Sequence, residues 1–343
     1  MTLNIQVKPL DRSKEAAFQH KIDFKTKPVG ALGQLESVAM QMALIQQSDM
    51  IHVQQPTILV FAGDHGVAEE KVSLTSSDVT RQMVLNFLAG GAAINCLCNA
   101  NGVDLKVVDA GIKTLIDDER LIIQRVGAGT KNLAIEPAMT QDEAIQAIEL
   151  GRQLAKQLAQ QGVNVLGFGE MGIANTTPAA CIMSALLHKT ASECVGRGTG
   201  ITDEQLRIKT DIVAKAVARI QNKADALEVL SEVGGFEIAQ IAGAMLGAAE
   251  SGITILVDGF IITAAAILAT RIAPESRDYM IFAHCSGEQG HAMMLQSLEA
   301  TPLLSLGLRL GEGTGVALAV PLLRSAAEFM NNMASFESAG VTL

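Results

Sequence analysis

Five short apolar runs, each ending abruptly in glycine or a polar residue, constrain this chain more than any other feature. They cover residues 57–61 before Ala62-Gly63-Asp64-His65, 105–108 before Asp109-Ala110-Gly111, and 163–166 before Gly167-Phe168-Gly169-Glu170. The other two are 253–257 before Asp258-Gly259 and 279–283 before His284-Cys285-Ser286-Gly287. Continuous apolar runs of this length fit strands buried on both faces. A sixth, 121–126, has the same character. Helical patterns lie between them, over 78–99, 141–161, 178–188, 203–222, 236–250, 260–272 and 288–299. Strands alternating with helices predict an α/β chain, a Rossmann-like parallel sheet flanked by helices on both faces.

The first and last forty residues differ from the rest in being mostly helical in pattern, with no convincing strand. The expected division is a small helical domain from 1–40 plus 305–343, and a large sheet domain over 41–304. In parallel sheets ligands sit beyond the carboxyl ends of the strands. Asp64, His65, Asp109, Glu170, Asp258, His284 and Ser286 all fall there on this reading, which points to an enzyme.

Composition narrows the class. Nearly half the residues are apolar, so the chain folds around a core. A net charge of −10 and the absence of Trp leave no basic footprint and little to stack bases on, which argues against nucleic acid. The N-terminal residues lack a secretory pattern. No uninterrupted apolar run reaches spanning length; 252–268 comes nearest, broken by Asp258 and Gly259. Five scattered cysteines read as reduced thiols in a cytoplasmic protein. Cys96-x-Cys98, or His284, Cys285 and His291, could ligate a metal, but core thiols and ordinary histidines explain them better, since no paired ligand motif appears.

Two glutamates stand in glycine frames, Gly169-Glu170-Met171-Gly172 and Gly311-Glu312-Gly313-Thr314-Gly315. Glycine lets backbone approach a ligand closely, and a following helix aims free N–H groups at the same place. Gly196–Gly200 and Ser286–Gly290 are further loops of this kind. None is a Walker A loop. The letters of a dinucleotide fingerprint occur at 167–172, but in mid-chain and with Glu170 in the tight turn. Asp117-Asp118-Glu119 precedes an apolar run rather than following a strand, so it reads as a solvated turn.

Together these segments resemble the nicotinate-nucleotide–dimethylbenzimidazole phosphoribosyltransferase family, which makes the lower-ligand nucleotide of cobalamin. The resemblance runs from Lys27-Pro28-Val29-Gly30-Ala31-Leu32-Gly33 nearly to the C-terminus, through Ala62–Val67, Gly169–Pro178, Val233–Phe236, Leu256–Phe260, His284-x-Ser286 and Arg309–Gly313. It implies phosphoribosyl transfer from nicotinate mononucleotide to 5,6-dimethylbenzimidazole, giving α-ribazole 5′-phosphate and nicotinate. It assigns Glu312 as general base and Glu170 as the carboxylate beside the ribose. Phosphate and ribose contacts fall on Gly172, Lys209, Ser286, Gly287 and Arg309. Base contacts fall on Thr75, Gln82, Met83, Leu310 and Gly311. Where some members place a Gln this chain has Met83, with Gln82 one residue earlier, so base preference is open. The resemblance implies a cytoplasmic homodimer with small-molecule substrates, and no cofactor, metal, nucleic acid or membrane. The alternatives are a relative preferring adenine or a phenol, or a non-catalytic nucleotide-binding protein. A mere binder needs neither glutamate in its glycine frame.

Overall fold

The computed structural model describes residues 3–198, 200–220 and 225–341. Thr199 in the 196–200 loop, and residues 221–222 at the end of the helix expected over 203–222, lie outside the described residues. The chain opens with helices α1 (Glu15–Asp23) and α2 (Gln34–Gln46), then strand β1 (Thr57–Gly63). Helices α3 (Asp78–Ala89) and α4 (Ala93–Asn101) lead to β2 (Asp104–Gly111) and β3 (Leu121–Ile123). Helix α5 (Gln141–Gln160) leads to β4 (Val165–Met171). Then come α6 (Thr176–Leu187), α7 (Ala191–Cys194), α8 (Asp203–Ala218), α9 (Ala226–Val233) and α10 (Phe236–Glu250). Strand β5 (Thr254–Val257), α11 (Phe260–Ile272), β6 (Met280–Phe282), α12 (His291–Ser297) and α13 (Thr314–Asn332) complete it.

All six expected strands form one sheet in the order β3-β2-β1-β4-β5-β6, with every neighbouring pair parallel. The chain therefore works outward from β1 in one direction and from β4 in the other. The crevice between those two strands, beyond their carboxyl ends, is where a doubly wound sheet holds its ligand.

The single helix expected over 78–99 is two helices. Gly90 adopts φ +80°, and the Asn95 side chain accepts the Ala92 N–H while its amide donates to the Phe87 carbonyl. One residue thus closes α3 and starts α4. The 78–101 stretch is long and apolar enough to cross a membrane by composition, but the break leaves helices of 12 and 9 residues, each too short to span. Helix α9, which no pattern announced, fills part of the β4–β5 crossover.

Alternation along the strands sorts the core into two layers. Leu59, Phe61, Leu166, Phe168, Ile255 and Val257 pack with α5, α6, α9, α10 and α11. Ile58, Val60, Val165, Leu256 and Ile281 pack on the other face with α1, α2, α3, α4 and α13. The chain ends meet there: Lys25 bridges Ser335, and Lys25 Nζ donates to the Met333 carbonyl at 2.6 Å. Their apolar side chains belong to the same core as the sheet, and α2 runs unbroken through position 40.

On β4 that alternation turns Gly167 and Gly169 toward α13. A Cβ on Gly167 would overlap the Val316 side chain, and one on Gly169 would overlap the Glu312 carbonyl. Gly169→Ala is expected to cost about 2 kcal/mol of stability by overpacking and to lower activity further by displacing Glu312. Thermal melts and turnover check this; an unchanged melt with full activity would contradict it.

Candidate active site

A cavity of about 370 Å³ opens at the carboxyl ends of β4, β5 and β6, walled by the 72–75 segment after β1 and by residues 309–312 before α13. Glu170, the penultimate residue of β4, reaches into it and is buried. Asn175, which immediately precedes α6, gives its amide to Glu170 Oε2 instead of capping its helix. Gly311 lies against the other carboxylate oxygen, where a Cβ would overlap Oε1. Burial pushes the Glu170 carboxyl up to about 8; Asn175 opposes this, and the carboxylates of Glu237 and Asp258 reinforce it.

Glu312 sits in the left-handed region at φ +62°, between Gly311 at +86° and Gly313 at +88°. Ala174 faces the same cavity at φ +72°. Each non-glycine residue held there costs on the order of 1–3 kcal/mol, a strain the surroundings must impose. The Glu312 carboxylate accepts the Ile94 N–H at 3.3 Å, in the first turn of α4, where the helix dipole favours an anion. Burial raises its pKa all the same, Ile94 opposing and Asp258 adding to the rise.

Asp258, just past β5, takes the Val316 N–H at 3.2 Å and lies 3.4 Å from His284 Nε2, just past β6. Both line the cavity, and each keeps a buried polar atom, Asp258 Oδ2 and His284 Nδ1, without a hydrogen-bond partner among the described residues. The opposite charge comes from Lys209 on α8. Its ammonium is buried, donates to Thr176 Oγ1 at 2.7 Å, and has no ion-pair partner among the described residues. Burial pushes it down to about 8, against Glu288 and Cys181. An unpaired buried cation beside a cavity calls for an anionic ligand.

The structure brings together Glu170, Glu312, Gly172, Lys209, Ser286, Arg309, Thr75, Met83, Leu310 and Gly311 as cavity lining. It does not bring in Gln82 or Gly287. Val79 and Met83, one turn apart on α3, face the cavity, so Gln82, one position round the helix, is exposed. Gly287 has its N–H committed to the Leu308 carbonyl at 2.9 Å. Of the other strand-end polar groups, His65 is tied to Glu237 at 2.7 Å with both side chains fully buried. Burial works against its charge, but Glu237, Asp64 and Glu170 outweigh that and raise its pKa. Asp109 accepts the N–H groups of Gly111 and Ile112. Asp118 pairs with Arg120 outside the cavity. Asn175, Thr176 and Glu288, which fall in the 169–178 and 286–290 segments but were not singled out there, join the lining.

Glu170 couples this site to stability. Its folded pKa lies above its ordinary value, so its neutral form is favoured; that stability is full below about pH 4.5 and is lost as pH rises through about 8. Without ligand, Glu170→Gln should melt near wild type at about pH 5 and several degrees above it at about pH 9. A gap that does not grow with pH would contradict the burial assigned to Glu170.

The phosphoribosyltransferase family model matches residues 7–341. Proteins named nicotinate-nucleotide–dimethylbenzimidazole phosphoribosyltransferase are similar over nearly their whole length. The one from Photobacterium profundum is 60% identical over 95% of this chain and 96% of its own. That from Vibrio atlanticus is 55% identical over 97% of this chain and 100% of its own. The crystal structure of CobT from Thermus thermophilus superimposes with a TM-score of 0.93 at 45% identity, covering 96% of this chain and 98% of that one. The family model and these relatives match nearly the whole chain, and the chain belongs to the nicotinate-nucleotide–dimethylbenzimidazole phosphoribosyltransferase family.

Proposed function

We propose that this protein transfers the phosphoribosyl group of nicotinate mononucleotide to 5,6-dimethylbenzimidazole, a step of cobalamin biosynthesis. The observation that carries the residue assignment is one cavity holding Glu170, Glu312 and the unpaired Lys209 at the carboxyl ends of β4, β5 and β6. One nitrogen of the benzimidazole attacks C1′ of the ribose from the face opposite nicotinate. The C1′–N bond to the pyridinium breaks, its electron pair returns to the ring, and nicotinate leaves with a neutral nitrogen. The configuration at C1′ inverts. The N–H proton on the other benzimidazole nitrogen passes to the Glu312 carboxylate as positive charge develops on the attacking ring.

Glu170 faces the ribose. Burial favours its neutral carboxyl, and the pyridinium of the substrate favours the ionised form, which then stabilises positive charge at C1′. Lys209, the Gly172 segment leading into α6, and Ser286 receive the phosphate, with Arg309 at the rim and Gly287 outside the lining. Thr75, Met83, Leu310 and Gly311 enclose the base, with Gln82 outside that wall. Exposed Leu74 and Leu310 give the mouth an apolar edge suited to a flat ring.

The same reading takes the chain ends, 1–40 with 305–343, as a helical unit, supported by the Lys25–Ser335 bridge. It makes the protein a homodimer, which a solution mass of twice the chain would test. Five free cysteines accord with a cytoplasmic setting.

Nicotinate release from nicotinate mononucleotide should require dimethylbenzimidazole. Release with adenine or a phenol, but not with dimethylbenzimidazole, would overturn the base assignment. Glu312→Gln is expected to lose several hundred-fold in turnover, about what a general base supplies, while still binding nucleotide. Turnover like wild type would remove Glu312 from that role. Lys209→Ala is expected to raise KM for the nucleotide about 10- to 100-fold, as loss of a charged hydrogen bond does. An unchanged KM would place the phosphate elsewhere.

A further inference from the structure

His291, the first residue of α12, is fully buried and lies outside the cavity lining, yet it joins two loops that form the cavity wall. Its Nδ1 lies 2.9 Å from the Ser286 backbone N, and its Nε2 lies 2.9 Å from Thr263 Oγ1. A backbone N–H can only donate, so Nδ1 is the bare nitrogen and Nε2 carries the hydrogen. That hydrogen goes to Thr263 Oγ1, and the Thr263 hydroxyl in turn donates to the Gly259 carbonyl at 2.8 Å. The direction of every hydrogen bond in the chain Ser286–His291–Thr263–Gly259 is thereby fixed.

The chain leaves Ser286 with defined work. Its N–H is committed to His291, and its Oγ accepts the Glu288 N–H at 3.3 Å, so its hydroxyl hydrogen remains free for a ligand. Gly259, at the other end, follows Asp258 and starts α11. Burial, with the neighbouring His284, pushes the His291 imidazole down to about 3, so the neutral ring persists at neutral pH. A buried polar chain with every member satisfied rigidifies the loops it joins.

We propose that His291 is a positioning residue for the nucleotide: through Nδ1 it fixes the Ser286 backbone, and through Thr263 it locks that loop to the Asp258–Gly259 turn. This rests on Ser286 being a nucleotide contact. Loss of the link loosens binding of nicotinate mononucleotide and leaves the chemistry at Glu312 intact.

Two substitutions separate the ring nitrogens. In His291→Asn the side-chain oxygen falls where Nδ1 lies and still accepts the Ser286 N–H. In His291→Gln the amide reaches the Nε2 position, keeps Thr263 and abandons Ser286. His291→Gln is expected to weaken nicotinate mononucleotide binding by titration calorimetry, and to raise its KM, by about tenfold, the worth of one buried hydrogen bond. Its kcat should stay within about threefold, and His291→Asn, which gives up only the Thr263 link, should weaken binding by about threefold, between wild type and His291→Gln. If His291→Gln does not fold, Thr263→Val against Thr263→Ser tests the Thr263 link alone, with Val weakening binding to the level of His291→Asn and Ser preserving it. Equal binding in the paired variants, or a loss confined to kcat, would overturn the proposal while leaving the transferase reading standing. A wild-type chain that binds no nicotinate mononucleotide would overturn that reading, and this proposal with it.

Discussion

The site depends on the missing side chains of Gly167 and Gly169. Strand β4 needs a bare face there because the first turn of α13 presses directly on it, with Val316 against Gly167 and the Glu312 carbonyl against Gly169. That contact joins the last helix of the chain to the central strand of the sheet. It sets Glu312 beside Glu170, whose residue numbers differ by more than a hundred, and it does so at the point where strand order reverses. The left-handed backbone of Gly311, Glu312 and Gly313 follows from the same constraint, since the loop must turn sharply to enter α13 so close to the sheet.

The electrostatics follow from that crowding. Glu170, Asp258 and Glu312 share one small cavity, and no Lys or Arg pairs with any of them among the described residues. Burial raises both glutamates, and the Asp258 carboxylate adds to the rise of each. Lys209, buried without an ion pair, is pushed the other way. A wall rich in carboxylates and a wall with a lone ammonium suit a substrate that is cationic at its ring and anionic at its phosphate. Nicotinate mononucleotide carries that pattern around the bond to be broken. The backbone strain at Ala174 and Glu312 and the unpaired charges of the two walls suit a ligand that brings the opposite charges.

Much of this was legible in the sequence because strands of a parallel sheet announce themselves. The six apolar runs, their polar endings and the two glycine-framed glutamates stand in plain view, and all six runs became strands of one sheet. The break between α3 and α4 was missed because the apolar pattern carries on through Gly90, while Asn95 supplies the cap only in three dimensions. Gln82 and Met83 could not be told apart by spacing alone; the helix must be placed before one of them faces inward. Gly287 was out of reach for another reason, since its N–H is spent on Leu308, a partner twenty-one residues away. His291 read as an ordinary core histidine, and its tautomer becomes defined only when Ser286 and Thr263 stand on either side of it.

The central claim is that Glu312 takes the proton of the incoming base while the nucleotide's phosphate lies at Lys209. A crystal structure of the protein with α-ribazole 5′-phosphate tests it most directly. The account predicts the benzimidazole nitrogen not bonded to ribose within about 3 Å of a Glu312 carboxylate oxygen, with the phosphate against Lys209 Nζ. A product bound with that nitrogen on another group, or with its phosphate beside Glu312, would contradict it.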